Sequence, residues 1–175
     1  MSNEINDNLA IIIPTFNEAG RIASTISGIR KFGNADIVVV DDGSNDSTAS
    51  EARAAGARVI ELPFNLGYGA ALQTGFKYAL NRGYEFAVQM YADGQHDPLS
   101  IEALISPVLK DEVDVVIGSR FLDKGNYKAP FVRRMGMYFF GVITSVLTGR
   151  RITDPTSGFQ ALNKKVMEFY ASDAY

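Results

Sequence analysis

Residues able to do chemistry gather in a few short stretches of this chain. The richest is Phe86 to Pro98, FAVQMYADGQHDP. Asp93, Gln95, His96 and Asp97 crowd around Gly94 there. A carboxylate, an amide oxygen and an imidazole within so few residues could hold a hard divalent cation, with Asp93 leading. The same residues also suit a glycine turn with solvated polar side chains.

A second acidic pair, Asp41-Asp42, precedes Gly43-Ser44. One of these carboxylates could accept a hydrogen bond from a ring N–H of a nucleotide base while the other braces the loop. An ordinary Asp-Gly turn is the alternative. Pro14-Thr15-Phe16-Asn17-Glu18 would supply the neighbouring wall, although Asn17 and Glu18 read equally well as a helix cap and a first-turn acid. Gly67-Tyr68-Gly69 opens a helix, so that backbone N–H groups and the helix dipole could face a phosphate. The next glycine, Gly75, lies too far along for the dinucleotide fingerprint, which argues against a dehydrogenase. Arg120, Arg133 and Arg134 are ordinary solvated cations or a bidentate clamp for a phosphate. Asp154 to Gly158 reads on its own as a capped turn.

The elements that must position these residues follow from periodicity. Apolar runs predict strands at Leu9–Ile13, Asp36–Val40, Ala57–Leu62, Phe86–Met90 and Val113–Gly118. Helical spacing predicts helices over 18–30, 47–55, 67–81 and 98–109, with Asp46 and Ser47 available to cap the second. Strands alternating with helices across short turns indicate an α/β fold with a doubly wound, mostly parallel sheet. In such a sheet, ligands sit at the carboxyl ends of the strands, where all these residues fall. After Ser119 the alternation stops. Residues 133–147 predict a helix that is apolar nearly all round (Met135, Met137, Tyr138, Phe139, Phe140, Val142, Ile143, Val146, Leu147), as a core helix is. The alternative is a helix meant for a membrane surface or for a part of the protein beyond this chain. A short helix is predicted at 164–170.

The totals narrow the class. The chain has 175 residues, 46% hydrophobic, enough for one substantial core, so 1–175 is expected to be a single domain. A net charge of −3 with interleaved acids and bases argues against nucleic acid as a partner. The absence of cysteine excludes disulfides and thiolate metal sites. The polar, acidic start is unlike a secretory signal, and no apolar run approaches the roughly 18–20 residues of a membrane span. A cytoplasmic domain, peripheral at the cytoplasmic face of a membrane, is the expectation.

Several segments together, IIIPTFNE (11–18), VVVDDGS (38–44), NLGYGAALQTG (65–75), ADGQHDP (92–98), GSRF (118–121), PFVRR (130–134) and DPTSGFQAL (154–162), resemble the family 2 glycosyltransferases typified by dolichyl-phosphate mannose synthase. They occur in the family's order over nearly the whole chain. The resemblance implies a Rossmann-like nucleotide-sugar-binding domain of the GT-A type, with a nucleotide-binding half at about 9–118 and an incomplete acceptor-side segment at about 119–175. It implies that Pro14, Thr15, Asn17, Glu18 and Asp42, with Gly69 alongside, line the nucleotide pocket. Asp93 and Gln95 would bind Mg or Mn on the diphosphate, Arg120 and Arg133 would hold an acceptor phosphate, and Ser157, Gly158 and Phe159 would form part of the acceptor-side wall.

Tyr91 departs from the pattern, because the family usually carries Asp-x-Asp where this chain has Tyr91-Ala92-Asp93. A tyrosine of pKa about 10 is no charged metal ligand at neutral pH, though it can hydrogen-bond a ribose. The implied reaction is inverting transfer of a hexose from a nucleoside-diphosphate sugar to a polyprenyl phosphate at a membrane surface. Transfer to a sugar or polysaccharide hydroxyl, and a catalytically impaired nucleotide-binding module, are the competing readings. Relatives extend past Tyr175, so the C-terminal part is expected to be truncated, and the apolar helix points to a homodimer or a membrane contact.

Overall fold

The computed structural model describes residues 8–31, 33, 35–92, 100–119, 131–149 and 152–172, with backbone alone for 131–138. Six strands form one sheet: β1 (Leu9–Thr15), β2 (Asp36–Asp41), β3 (Arg58–Glu61), β4 (Phe86–Gln89), β5 (Val115–Ile117) and β6 (Gln160–Asn163). Their order is β3-β2-β1-β4-β6-β5. β1 pairs in parallel with β2 and β4, and β2 with β3. β6 alone runs antiparallel, between β4 and β5.

Alternation along the strands divides the core. Leu9, Ile11, Ile13, Ile37, Val39, Val88 and Met90 face one way and are covered by α1 (Ile22–Arg30), α2 (Thr48–Ala54) and α4 (Ile101–Leu109). In α1 the buried Ile22, Ile26 and Ile29 recur at helical spacing. Ala10, Ile12, Val38, Val40 and Ala87 face the other way, under α3 (Tyr68–Asn81) and α6 (Lys164–Ala171). Both faces are covered, which is why these strands read as unbroken apolar runs. α3 rests close to the sheet at Gly75, where a Cβ would run into the side chain of Ile12. Asn163 starts α6 by accepting from the Val166 amide at 3.1 Å.

Three differences from the sequence expectation have physical causes. β1 continues through Pro14 to Thr15, paired with β2, instead of stopping at Ile13. The nitrogen of Pro14 points toward β4, beyond that strand's last bond, Met90 N to the Ile12 carbonyl, so the missing N–H breaks no ladder. β6 escapes the sequence signal because Gln160–Asn163 is short and polar at both ends. It nonetheless inserts residues from the 119–175 segment into the sheet, between β4 and the edge strand β5. The third concerns α5 (Phe131–Thr148). A core helix is the first expectation, yet Phe139, Phe140, Val142, Ile143, Val146 and Leu147 are exposed. The helix is fastened instead along one line: Gly141 is buried against the Ile152 and Thr153 carbonyls, and Ser145 Oγ accepts from the Ile152 amide at 2.8 Å. Among the described residues, no helix is long and apolar enough to cross a membrane.

Candidate functional site

The carboxyl ends of β1, β2 and β4 lie side by side, and most of the sequence candidates stand there. Thr15 and Asp41 are register partners, and the Asp42 amide donates to the Thr15 carbonyl at 2.8 Å. Thr15 is buried, with its hydroxyl 3.3 Å from the Val40 carbonyl.

Both acids at the end of β2 are 3% exposed. Asp41 Oδ1 accepts from the hydroxyl and amide of Ser44, closing the Asp-Asp-Gly turn on itself. Asp42 reaches across to the β3–α3 loop: its two oxygens accept from the Leu66 and Gly67 amides, each at 2.8 Å. Each acid therefore braces a loop. Gly43 completes the corner at φ 73°, with space for no more than hydrogen, since a Cβ would lie 2.7–2.9 Å from the backbone of Phe64 and Asn65.

The loop after β1 is held almost entirely by side chains of the loop after β2. Asn17, itself in the left-handed region at φ 55°, donates its amide to Ser44 Oγ at 2.9 Å, and its side-chain oxygen accepts from the Asn45 amide at 3.0 Å. The Glu18 amide donates to Thr48 Oγ1 at 2.8 Å, that of Ala19 to Asp46 Oδ2 at 3.2 Å and that of Gly20 to Glu51 Oε2 at 2.7 Å. Asn17 and Glu18 are thus no simple cap, and α1 begins only at Ile22. Nor does Ser47 cap α2 through its side chain. Its hydroxyl donates to Glu51, while Asp46 takes the Thr48 amide and hydroxyl. Hydrogen bonding from the Thr48 hydroxyl, with the amides of Thr48 and Ala19, holds the Asp46 carboxyl below its ordinary pKa. The Ser47 hydroxyl and then the Gly20 amide do the same for Glu51.

Sequence reasoning passed over Ser44, Asp46, Thr48 and Glu51 as positioning groups. The signal was present, as a run of short polar residues denser than one cap requires. It also passed over Gln89, whose buried Oε1 has no hydrogen-bond donor among the described residues; Glu18 Oε2 is ion-paired with Arg21 Nε at 3.0 Å but is likewise without a well-aligned donor among them. A glutamine inside an apolar strand run was the clue. Buried acceptors without donors at a ligand edge are suited to a ligand's N–H or O–H.

Gly69 lies exposed in the first turn of α3, with open space around it. Its neighbour Tyr68 stacks on Tyr91, the centroids 5.2 Å apart and the planes tilted by 34°. The Tyr91 ring also abuts Gly158. The 154–159 turn is well pinned: Ser157 N donates to the Asp154 carbonyl at 3.2 Å, and Gly118 N to the Phe159 carbonyl at 2.7 Å. Ser157 and Gly158 are buried, and Phe159 belongs to the core beside Leu104, so this wall presents its backbone rather than the phenyl face. Thr25 on α1 donates to the Ala92 carbonyl at 3.1 Å, fixing the chain just before residue 93.

Asp93, Gln95 and Arg120 lie outside the described residues, and Arg133 and Arg134 are placed by their backbone alone, in the first turn of α5. Among the described residues, no group of three acidic, histidine or cysteine side chains is arranged to hold a metal. Asp41 and Asp42 are engaged with hydroxyl and amide groups. Their carboxylates are thus already satisfied by protein donors.

The sequence model of glycosyl transferase family 2 matches residues 10–170. The chain belongs to that family. This family 2 glycosyltransferase is 40% identical to an uncharacterized protein of Methanocaldococcus jannaschii, over 99% of this chain and 74% of that one. It is 31% identical to the UDP-N-acetylglucosamine–dolichyl-phosphate N-acetylglucosaminyltransferase of Methanococcus voltae, over 90% of this chain and 70% of the relative. Among solved structures it is similar to glucosyl-3-phosphoglycerate synthase from Mycobacterium tuberculosis, in complex with Mn2+, UDP-glucose and phosphoglyceric acid. That match has a TM-score of 0.71 at 25% identity and covers 93% of this chain but 61% of the other. The fold is thus the GT-A fold expected from the sequence, its mostly parallel sheet carrying one antiparallel strand, β6.

Proposed function

We propose that this family 2 glycosyltransferase moves a hexose from a nucleoside diphosphate to a polyprenyl phosphate, with inversion at the anomeric carbon. One observation carries the reading. Pro14, Thr15, Asn17, Glu18, Asp41, Asp42, Gly69 and Tyr91 converge on a single sheet edge whose loops are held by one another before any ligand arrives. Such preorganisation lowers the entropic cost of binding a charged, flexible donor.

The acceptor chemistry requires little of the protein. A phosphate monoester with a second pKa near 6 is largely dianionic at neutral pH, so it can attack without a general base. Its oxygen forms the new bond to the anomeric carbon as the bond to the nucleoside diphosphate breaks, and the departing diphosphate takes the electron pair. Arg120, Arg133 and Arg134 would hold the acceptor phosphate against charge repulsion. Ser157, Gly158 and Phe159 would back the acceptor side. A divalent cation bound by Asp93 and Gln95 would neutralise the leaving diphosphate. The relative named for dolichyl phosphate supports the choice of acceptor. So does the exposed apolar face of α5, which suits the interface of a membrane.

The test is product analysis. The chain is incubated with UDP- and GDP-hexoses, a short-chain polyprenyl phosphate and manganese, against an oligosaccharide acceptor. A lipid-linked hexose of inverted anomeric configuration is expected. Transfer to the oligosaccharide alone would contradict the acceptor assignment. Arg120→Ala and Arg133→Ala should each lower lipid transfer roughly 10- to 100-fold, as expected for a charged hydrogen bond of about 1.5–3 kcal/mol, while UDP affinity stays within about twofold.

A further inference from the structure

The nucleotide-side loops and the 154–159 turn meet at one side chain. Tyr91 stands two residues beyond β4, where the family resemblance implies an acid. Its ring contacts Tyr68 and lies close against Gly158. Both neighbours are fixed in place. Tyr68 directly follows Leu66 and Gly67, whose amides are clamped by the buried Asp42. Gly158 sits between Ser157, whose hydroxyl accepts from the Phe159 amide at 3.2 Å, and Phe159, anchored in the core. A Cβ on Gly158 would meet Cε2, Cζ and the hydroxyl oxygen of Tyr91. Tyr68 is 41% exposed and Tyr91 half-buried, so displacement passes between them by direct ring contact at the rim of the site.

We propose that Tyr91 is a positioning residue whose ring couples the 154–159 turn to the nucleotide-side loops, so that the setting of that turn is felt in donor affinity. The contact path runs from the 154–159 turn through Gly158, Tyr91 and Tyr68 to the Leu66-Gly67 amides and Asp42. An acid at position 91 would leave a gap between Tyr68 and Gly158 and cut this path. The tyrosine thus replaces an electrostatic group with a mechanical one. The proposal rests on the nucleotide-sugar reading above.

Contiguity alone does not establish coupling, which a double-mutant cycle measures. Gly158→Ala, Tyr91→Ala and the double variant are compared with the unaltered chain for UDP and GDP affinity by calorimetry. Unfolding midpoints and the near-ultraviolet circular dichroism of the tyrosine pair are followed in parallel. Gly158→Ala should weaken nucleotide binding about tenfold in the unaltered background and by less than about twofold in the Tyr91→Ala background, where the added methyl enters vacated space. In a Tyr91→Phe background the Gly158→Ala penalty should persist, because the ring remains. Should Gly158→Ala alone fail to fold, recovery of folding and binding in the double variant would support the coupling, and no recovery would overturn it. Equal penalties in both backgrounds, or no penalty in the unaltered chain, would overturn the Tyr91 assignment while leaving nucleotide binding intact. Absence of UDP and GDP binding by the unaltered chain would overturn the nucleotide reading and, with it, this one.

Discussion

Asp42 is buried with both carboxylate oxygens directed at amides of a loop more than twenty residues away, which makes it the hinge of the site's geometry. Asp42→Ala leaves the Leu66 and Gly67 amides without their acceptor. A loss of roughly 1–3 kcal/mol in urea-unfolding stability is expected, together with weakened nucleotide binding. Gly43→Ala meets two obstacles at once, a left-handed φ of 73° and backbone 2.7–2.9 Å from the new methyl. It should destabilise by more than about 1 kcal/mol in the same measurement. The sequence reading assigned one of Asp41 and Asp42 to a nucleotide base and the other to bracing the loop, whereas both acids brace loops. It could not say which acid takes which amide, because the partner of Asp42 is chosen by how the β3–α3 loop folds back. Tyr91 was legible as a departure from a motif, whereas its contact with Gly158 depends on a turn more than sixty residues later.

Among the elements, the brace between the loops after β1 and β2 is the feature most exposed to solution conditions. Asp46 and Glu51 have pKa values lowered by the hydroxyls and amides they accept from. A depressed carboxylate contributes stability that is present above its unfolded-state pKa, near pH 4, and is lost as pH falls through its folded value. Stability in urea unfolding should therefore decline as pH falls below about 4, and Asp46→Asn should flatten that acid limb. Both groups lie at the surface, so high salt and solvent screening keep the effect modest. Asp46→Ala, which removes the acceptor for the Ala19 and Thr48 amides, should cost a few-fold in UDP affinity at neutral pH by calorimetry. The alternating strands and helices were readable because both faces of the sheet are buried and the apolar runs are long. The antiparallel β6 was not, since four residues with polar ends carry almost no periodicity.

For the molecule as a whole, the proposed function uses two surfaces, the sheet edge and the apolar helix α5. Val146 and Leu147 are 76% and 81% exposed, the extremes of a continuous apolar face. Burying each in a membrane interface would contribute about 1.5–3 kcal/mol. A Val146→Glu, Leu147→Glu double variant should therefore bind anionic vesicles at least tenfold less in a sedimentation assay, with stability changed by no more than about 0.5 kcal/mol per site. The amino-acid pattern of α5 could not distinguish a core helix from a surface one, because a helix apolar all round fits either place until its neighbours are known. The chain spans 61% of the solved synthase to which it is similar.

The central claim is that the edge formed by β1, β2, β4 and the start of α3 binds a nucleoside diphosphate with Tyr91 in place. Isothermal calorimetry of UDP and GDP against the unaltered chain and Tyr91→Asp, with and without manganese, tests it most directly. The expected result is saturable binding of one of the two nucleotides by the unaltered chain, strengthened by manganese. Binding by neither protein would contradict the nucleotide site, and binding by Tyr91→Asp alone would show a site disabled by its tyrosine.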